Sequence, residues 1–147
     1  MNKLPPIEKI PEAYSAIVDS RVFMQEGSAE VHSSDGRKVY TVSWEGNSYY
    51  SNDSATYWQG YAGYPILAVL MLQGKLPLDM DVAAHFAGIN WTELNKRHKR
   101  NYTEALAEVL DRLQVGGVDT VGIEKEIERV YGAIPGLSIA IKRGKKR

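Results

Sequence analysis

Residues 49–73 read YYSNDSATYWQGYAGYPILAVLMLQ. The stretch begins as a strand end, passes through a polar aromatic loop and finishes in the most apolar run of the chain. It carries five of the nine tyrosines and one of the three tryptophans. Its second half predicts a helix. Pro65 suits a first helical turn, where it has no N–H to lose. Residues 66–73 continue the helix, and Gly74 and Pro77 stop it. Apolar side chains go all the way round, so burial on most sides is expected. The first half is a loop. Asn52, Asp53 and Ser54 are cap-formers, so a helical turn is expected near Ala55, broken by Gly60 and Gly63.

Upstream the period is two. VFMQ, AEVHSS, RKVYTVSW and SYYS are separated by Gly27-Ser28, Asp35-Gly36 and Glu45-Gly46-Asn47. Glycine and asparagine accept the positive φ that tight hairpin turns require. Alternation puts Tyr40, Val42 and Trp44 on one face of the third strand, the buried one. Val39, Thr41 and Ser43 take the other. The pattern predicts an antiparallel meander of three or four strands. Ahead of it, residues 1–10 read as an extended arm. A helix is expected over 11–20, with Pro11 and Glu12 in its first turn and Tyr14, Ile17 and Val18 as its buried stripe.

Downstream the period is helical. A short helix is expected over 79–86, ended by Gly88. Another runs from Trp91 to about His98, capped by Asn90 with Glu93 three residues on. Leu106, Val109, Leu110 and Leu113 stripe the next, capped by Asn101 or Thr103 and ended by Gly116-Gly117. A last helix spans about 120–132, with Ile123, Ile127 and Val130 or Tyr131 inward. LSIAIK, residues 137–142, is either a final edge strand or a disordered tail. The fold class is α+β. One helix precedes a small meander, and a helical C-terminal half packs on one face of the sheet, all in a single domain.

The chain of 147 residues is long enough for one good core. Apolar residues make up 44% and charged residues 24%, ordinary for a globular protein. Net charge is zero, which removes any global argument for nucleic acid or an anionic membrane. Residues 142–147, KRGKKR, carry five of the 18 basic residues and leave the rest acidic. Such an end is either a nucleic-acid arm or a solubilising tail. The absence of cysteine excludes disulfides, thiolate catalysis and cysteine-ligated metals. No signal-peptide core stands at the start, and the longest apolar run, 65–72, is too short to span a bilayer. A cytoplasmic protein without a membrane partner is expected.

Catalytic motifs do not emerge. His32, His85 and His98 are not at metal-ligand spacing. His85, beside Val82 and Phe86, is expected to pack half-buried. There is no nucleophile elbow, S-x-x-K motif, phosphate loop or dinucleotide fingerprint. No catalytic residue, metal or cofactor is assigned. The remaining signal sets Tyr57, Trp58, Tyr61 and Tyr64 against Lys96, Arg97, Lys99 and Arg100. Rings that stack on bases, beside cations that neutralise phosphates, are how single-stranded nucleic acid is held. The same rings also fill small cores with their polar tips in water. Cations at a helix C-terminus are favoured by its dipole in any case.

One resemblance bears on this stretch. A hairpin over 38–51, a loop, and the ILAVL of residues 66–70 resemble the SWIM zinc finger. In that family a C-x-C pair follows the hairpin and a C-x-H pair precedes the helix. Here the second pair falls on Gly63 and Pro65. The first falls on Tyr50 and Asn52, or on Ser51 and Asp53. Every zinc ligand is missing, so the resemblance implies a metal-free ββα element with a DNA-binding or protein-interaction role. The expected function is a non-enzymatic binding module for nucleic acid or a protein partner, with a homodimer through a sheet edge also open. The alternative is a small-molecule-binding protein or enzyme. Its pocket would lie between the sheet and the helix of residues 66–72, lined by Tyr50, Asn52, Asp53 and Trp58.

Overall fold

The computed structural model describes residues 3–143. Along them run α1 (Lys9–Val18), β1 (Val22–Gln25), β2 (Ser28–His32), β3 (Val39–Glu45) and β4 (Ser48–Ser51). A π-helical turn (Ala55–Gln59) leads to α2 (Tyr64–Leu72), α3 (Met80–Ala83) and a 3-10 turn (Ala84–Phe86). Then come α4 (Trp91–Arg97), α5 (Tyr102–Val115), α6 (Thr120–Ala133), a second 3-10 turn (Ile134–Gly136) and β5 (Ala140–Arg143). The fold is α+β, with the helix first, the strands next and the helical half last.

Strands β1 to β4 form an antiparallel meander in sequence order. Its turns carry Gly27, Gly36 and Gly46 at φ 74°, 74° and 58°, where a side chain would be strained. The sheet does not stop at four strands. β5 adds to β4 in parallel, with Ile141 beside Tyr49, so the sheet is mixed and LSIAIK ends as its edge strand. A parallel partner arrives by a crossover, here the whole helical half, and leaves no local turn signal to read. The last four residues of the basic tail, 144–147, lie outside the described residues. One face of the sheet points to the core, where Val31 stands opposite Tyr40, Val42 opposite Ser51, and Trp44 opposite Tyr49.

Helix α2 is the hub. Pro65 to Met71 are all buried, because α1 packs on one side and β3 and β4 on the other. Each fully buried Leu, Ile or Val contributes roughly 1.5–3 kcal/mol relative to exposure. Helix α1 begins at Lys9, two residues before Pro11, so the arm is shorter than expected. The N–H groups of Lys9 and Ile10 bond the carbonyls of Pro6 and Ile7, each at 3.1 Å, and this tight turn starts the helix early. Helices α2, α3 and α6 surround α1, so Lys9 through Ala16 are all buried.

Asp79, Asn90, Asn101 and Asp119 each accept a first-turn N–H and start α3, α4, α5 and α6. His85 is exposed rather than half-buried, because its 3-10 turn aims Phe86 into the core instead. Glu108 ties α4 to α5. Arg97 reaches it at 2.8 and 2.9 Å, His98 Nε2 at 3.0 Å, and Arg112 joins from the next turn.

Candidate functional site

The loop after β4 is held by its own side chains. Ser51 Oγ donates to Asp53 Oδ1, and the Asp53 N–H returns to Ser51 Oγ at 3.2 Å. Asp53 Oδ2 then accepts the Thr56 N–H at 3.0 Å, as a cap does at a helix start. Thr56 Oγ1 accepts the Gly63 N–H at 3.0 Å and closes the loop on itself. Any Cβ at Gly63 would collide with the Asp53 carboxylate. This knot presents Trp58 at 71% exposure, with Tyr57 edge-on to it at 4.7 Å.

Facing the loop is the one charged turn of α1. Lys9 Nζ lies 3.2 Å from Glu12 Oε2, with both side chains buried. Asn95 Nδ2 donates to Glu12 Oε1 at 3.4 Å, and Lys9 Nζ stands 4.2 Å from the centre of the Tyr102 ring. Burial works against the Lys9 ammonium. Glu12, Tyr102 and Tyr61 outweigh it, and the pKa of Lys9 is raised. Burial pushes the Glu12 carboxyl up, against the pull of Lys9 and Asn95. Burial likewise raises the phenols of Tyr40, Tyr61 and Tyr64. Trp91 is pinned to the next turn of α1: its Nε1 donates to Ser15 Oγ at 2.7 Å, and Ser15 Oγ donates to the Phe86 carbonyl at 2.5 Å.

These groups line one cleft of about 620 Å³. α1 contributes Lys9 and Glu12, and the sheet contributes Tyr40. Trp58, Tyr61 and Tyr64 come from the π-turn and the start of α2. Trp91, Asn95, Arg100 and Tyr102 come from α4 and the junction with α5. A second hollow of about 490 Å³ shares Lys9, Asn95, Arg100 and Tyr102 with the first and adds Lys96 and Lys99.

Trp58, Tyr61, Tyr64 and Arg100, expected at a binding surface, therefore meet in the cleft, and Lys96 and Lys99 flank its side branch. Tyr57 does not line it but packs on Trp58. Arg97 is committed to Glu93 and Glu108 instead. Of the alternative pocket, Asp53 and Trp58 line the cleft. Tyr50 does not, because strand alternation sends it to the opposite face from Tyr49 and Ser51. Asn52 Oδ1 accepts the Thr41 N–H at 2.9 Å and is used in the loop. α2 is buried too completely to wall a pocket beyond Tyr64, so the cleft lies against α1 instead.

Lys9, Glu12, Arg21, Trp91, Asn95 and Tyr102 were not singled out by motif. One signal was available for the first two. They are the only charges in KIPEAYSAIV, and they sit three residues apart on a helix otherwise apolar or small. Among the described residues, no three His, Cys, Asp or Glu are grouped to hold a metal ion, and no helix is long and apolar enough to cross a membrane.

A family model described as Uncharacterised conserved protein UCP014422 matches residues 2–140. No curated protein and no solved structure matches the chain.

Proposed function

The chain belongs to this family, UCP014422, and we propose that it binds a small molecule in the cleft between α1 and the π-turn. One observation carries the reading. A cleft of about 620 Å³ gathers six aromatic side chains around a buried Lys9–Glu12 pair. Small-molecule sites are typically concave, roughly 300–1,000 Å³, and lined by aromatic groups with a few converging polar ones. Rings brought from the sheet, the π-turn, α2, α4 and α5 offer flat apolar contact. Lys9, Asn95 and Arg100 offer hydrogen bonds. Lys9 is kept cationic by its neighbours, which suits holding a ligand better than nucleophilic attack.

Thermal unfolding across a panel of planar small molecules tests this. Ligands of the cleft raise the midpoint of the wild-type protein, because they bind only the folded state. The rise is lost in Trp58→Ala, a substitution at an exposed side chain that the fold tolerates. Equal rises in both proteins would count against the cleft.

A second reading has its own support. Lys96, Lys99 and Arg100 continue the cleft into a basic rim, and Trp58 stands free to stack. A single nucleic-acid strand would fit such a rim. Neutralising three phosphates gives a salt slope of about −2 in log affinity against log salt. Lys96→Ala and Lys99→Ala weaken an oligonucleotide under this reading and leave a small cleft ligand unaffected under the first.

A further inference from the structure

Arg21 lines the cleft beside Tyr40 and Tyr64, at the start of β1. Its Nη1 donates to the His32 carbonyl at 2.6 Å, which fixes the guanidinium in place. Its Nε is only loosely near Asp19, 4.0 Å from Oδ2, and that carboxylate is already bonded to the Gly88 N–H. Its Nη2 is buried and makes no hydrogen bond of normal geometry, with the Tyr64 phenol the polar group beside the guanidinium. Among the described residues, the other buried side-chain polar atom without such a bond is the Tyr14 hydroxyl, which sits in the core against Phe86 and not on the cleft.

A buried cationic donor left open is costly unless something completes it. The acids of the cleft do not. Glu12 is held by Lys9 and Asn95, and Asp53 by Ser51 and the Thr56 N–H. Arg100 adds a third cation to the same cleft, beside Arg21 and the Glu12-paired Lys9. We infer that the ligand carries an oxyanion, a carboxylate or a phosphate, and that the Arg21 guanidinium donates to it from the wall of the cleft. Its flat part then lies against Tyr40, Tyr61 and Tyr64. This rests on the small-molecule reading and adds the chemical class of the ligand.

Three probes that share a phenyl ring test it: benzoate, phenyl phosphate and neutral benzamide, the isostere of benzoate. Each is titrated into the wild-type protein and into Arg21→Met, following backbone amides and the Arg21 Nε–H by NMR. In the wild type at least one anion binds about tenfold or more tighter than benzamide, as a charge-assisted hydrogen bond requires. Whichever of benzoate and phenyl phosphate binds tighter identifies the oxyanion. The Arg21 Nε–H moves with that anion and stays still with benzamide. In Arg21→Met the preference collapses to within about threefold. If the variant fails to fold, the wild-type Nε–H response decides by itself. Comparable binding of all three probes, with cleft amides moving, would overturn the role of Arg21 and leave the cleft reading standing. An anion preference that survives in a folded Arg21→Met would do the same. Cleft amides that move with none of the probes would overturn both.

Discussion

Lys9 Nζ stands 3.2 Å from Glu12 Oε2, one helical turn apart, with the two side chains only 9% and 8% exposed. Taking two charges out of water is costly, and each is tolerable only because the other is there. Glu12→Leu alone therefore lowers stability by about 3–5 kcal/mol. Lys9→Met with Glu12→Leu recovers most of that loss, since an apolar pair of similar volume often matches a buried ion pair. Urea unfolding of the single and double variants checks this. The double variant also loses the ligand-dependent rise in midpoint.

Ser15 bridges two elements 70 residues and more away along the chain, taking the Trp91 indole N–H and giving its own hydrogen to the Phe86 carbonyl. Ser15→Ala leaves that buried N–H open and costs about 1–3 kcal/mol. The Trp91 indole resonance shifts in the variant even without ligand.

Two glycines of the π-turn loop respond differently to alanine. Gly60 has φ 75° and open space around it, so Gly60→Ala costs only the left-handed backbone, about 1–2 kcal/mol. Gly63 has an ordinary φ of −69°, but its Cβ would displace the Asp53 carboxylate. Gly63→Ala costs about 1–3 kcal/mol by overpacking and also moves Trp58. Calorimetry and Trp58 fluorescence together separate the two effects.

The pH dependence has two opposite contributions. Hydrogen bonds from Arg97 and His98 hold the Glu108 carboxyl down to about 2, against an ordinary value of 4.5. A lowered folded pKa favours the fold above pH 4.5, and that contribution is lost as pH falls from 4.5 towards 2. Glu108→Gln is less stable than wild type at neutral pH, and the two curves converge over this window. Glu12 has the reverse sign: burial raises its pKa, so its contribution declines as pH rises above 4.5. Chemical unfolding between pH 2 and 8 measures both.

Much of the fold was legible because its signals are local. Gly27, Gly36 and Gly46 mark the hairpin turns, and Asn90, Asn101 and the Leu106–Leu113 stripe mark helices by their own spacing. What could not be read depends on contacts across the chain. Strand β5 joins β4 through Ile141 and Tyr49, about 90 residues apart. Lys9 and Glu12 look like surface charges until α2, α3 and α6 close around α1. The aromatic loop announced itself by composition. Arg21 did not, because a single arginine before a strand carries no pattern, and only its unsatisfied Nη2 marks it.

The three tryptophans give the most direct measurement. Trp58 and Trp91 line the cleft, whereas Trp44 stacks on Tyr49 at 6.0 Å, away from it. Their three indole N–H signals are followed while phenyl phosphate and benzoate are added to the wild-type protein. The cleft reading predicts that the Trp58 and Trp91 signals move together along a saturating curve and that Trp44 stays in place. Movement of Trp44 alone, or no movement of the other two at saturating probe, would contradict it.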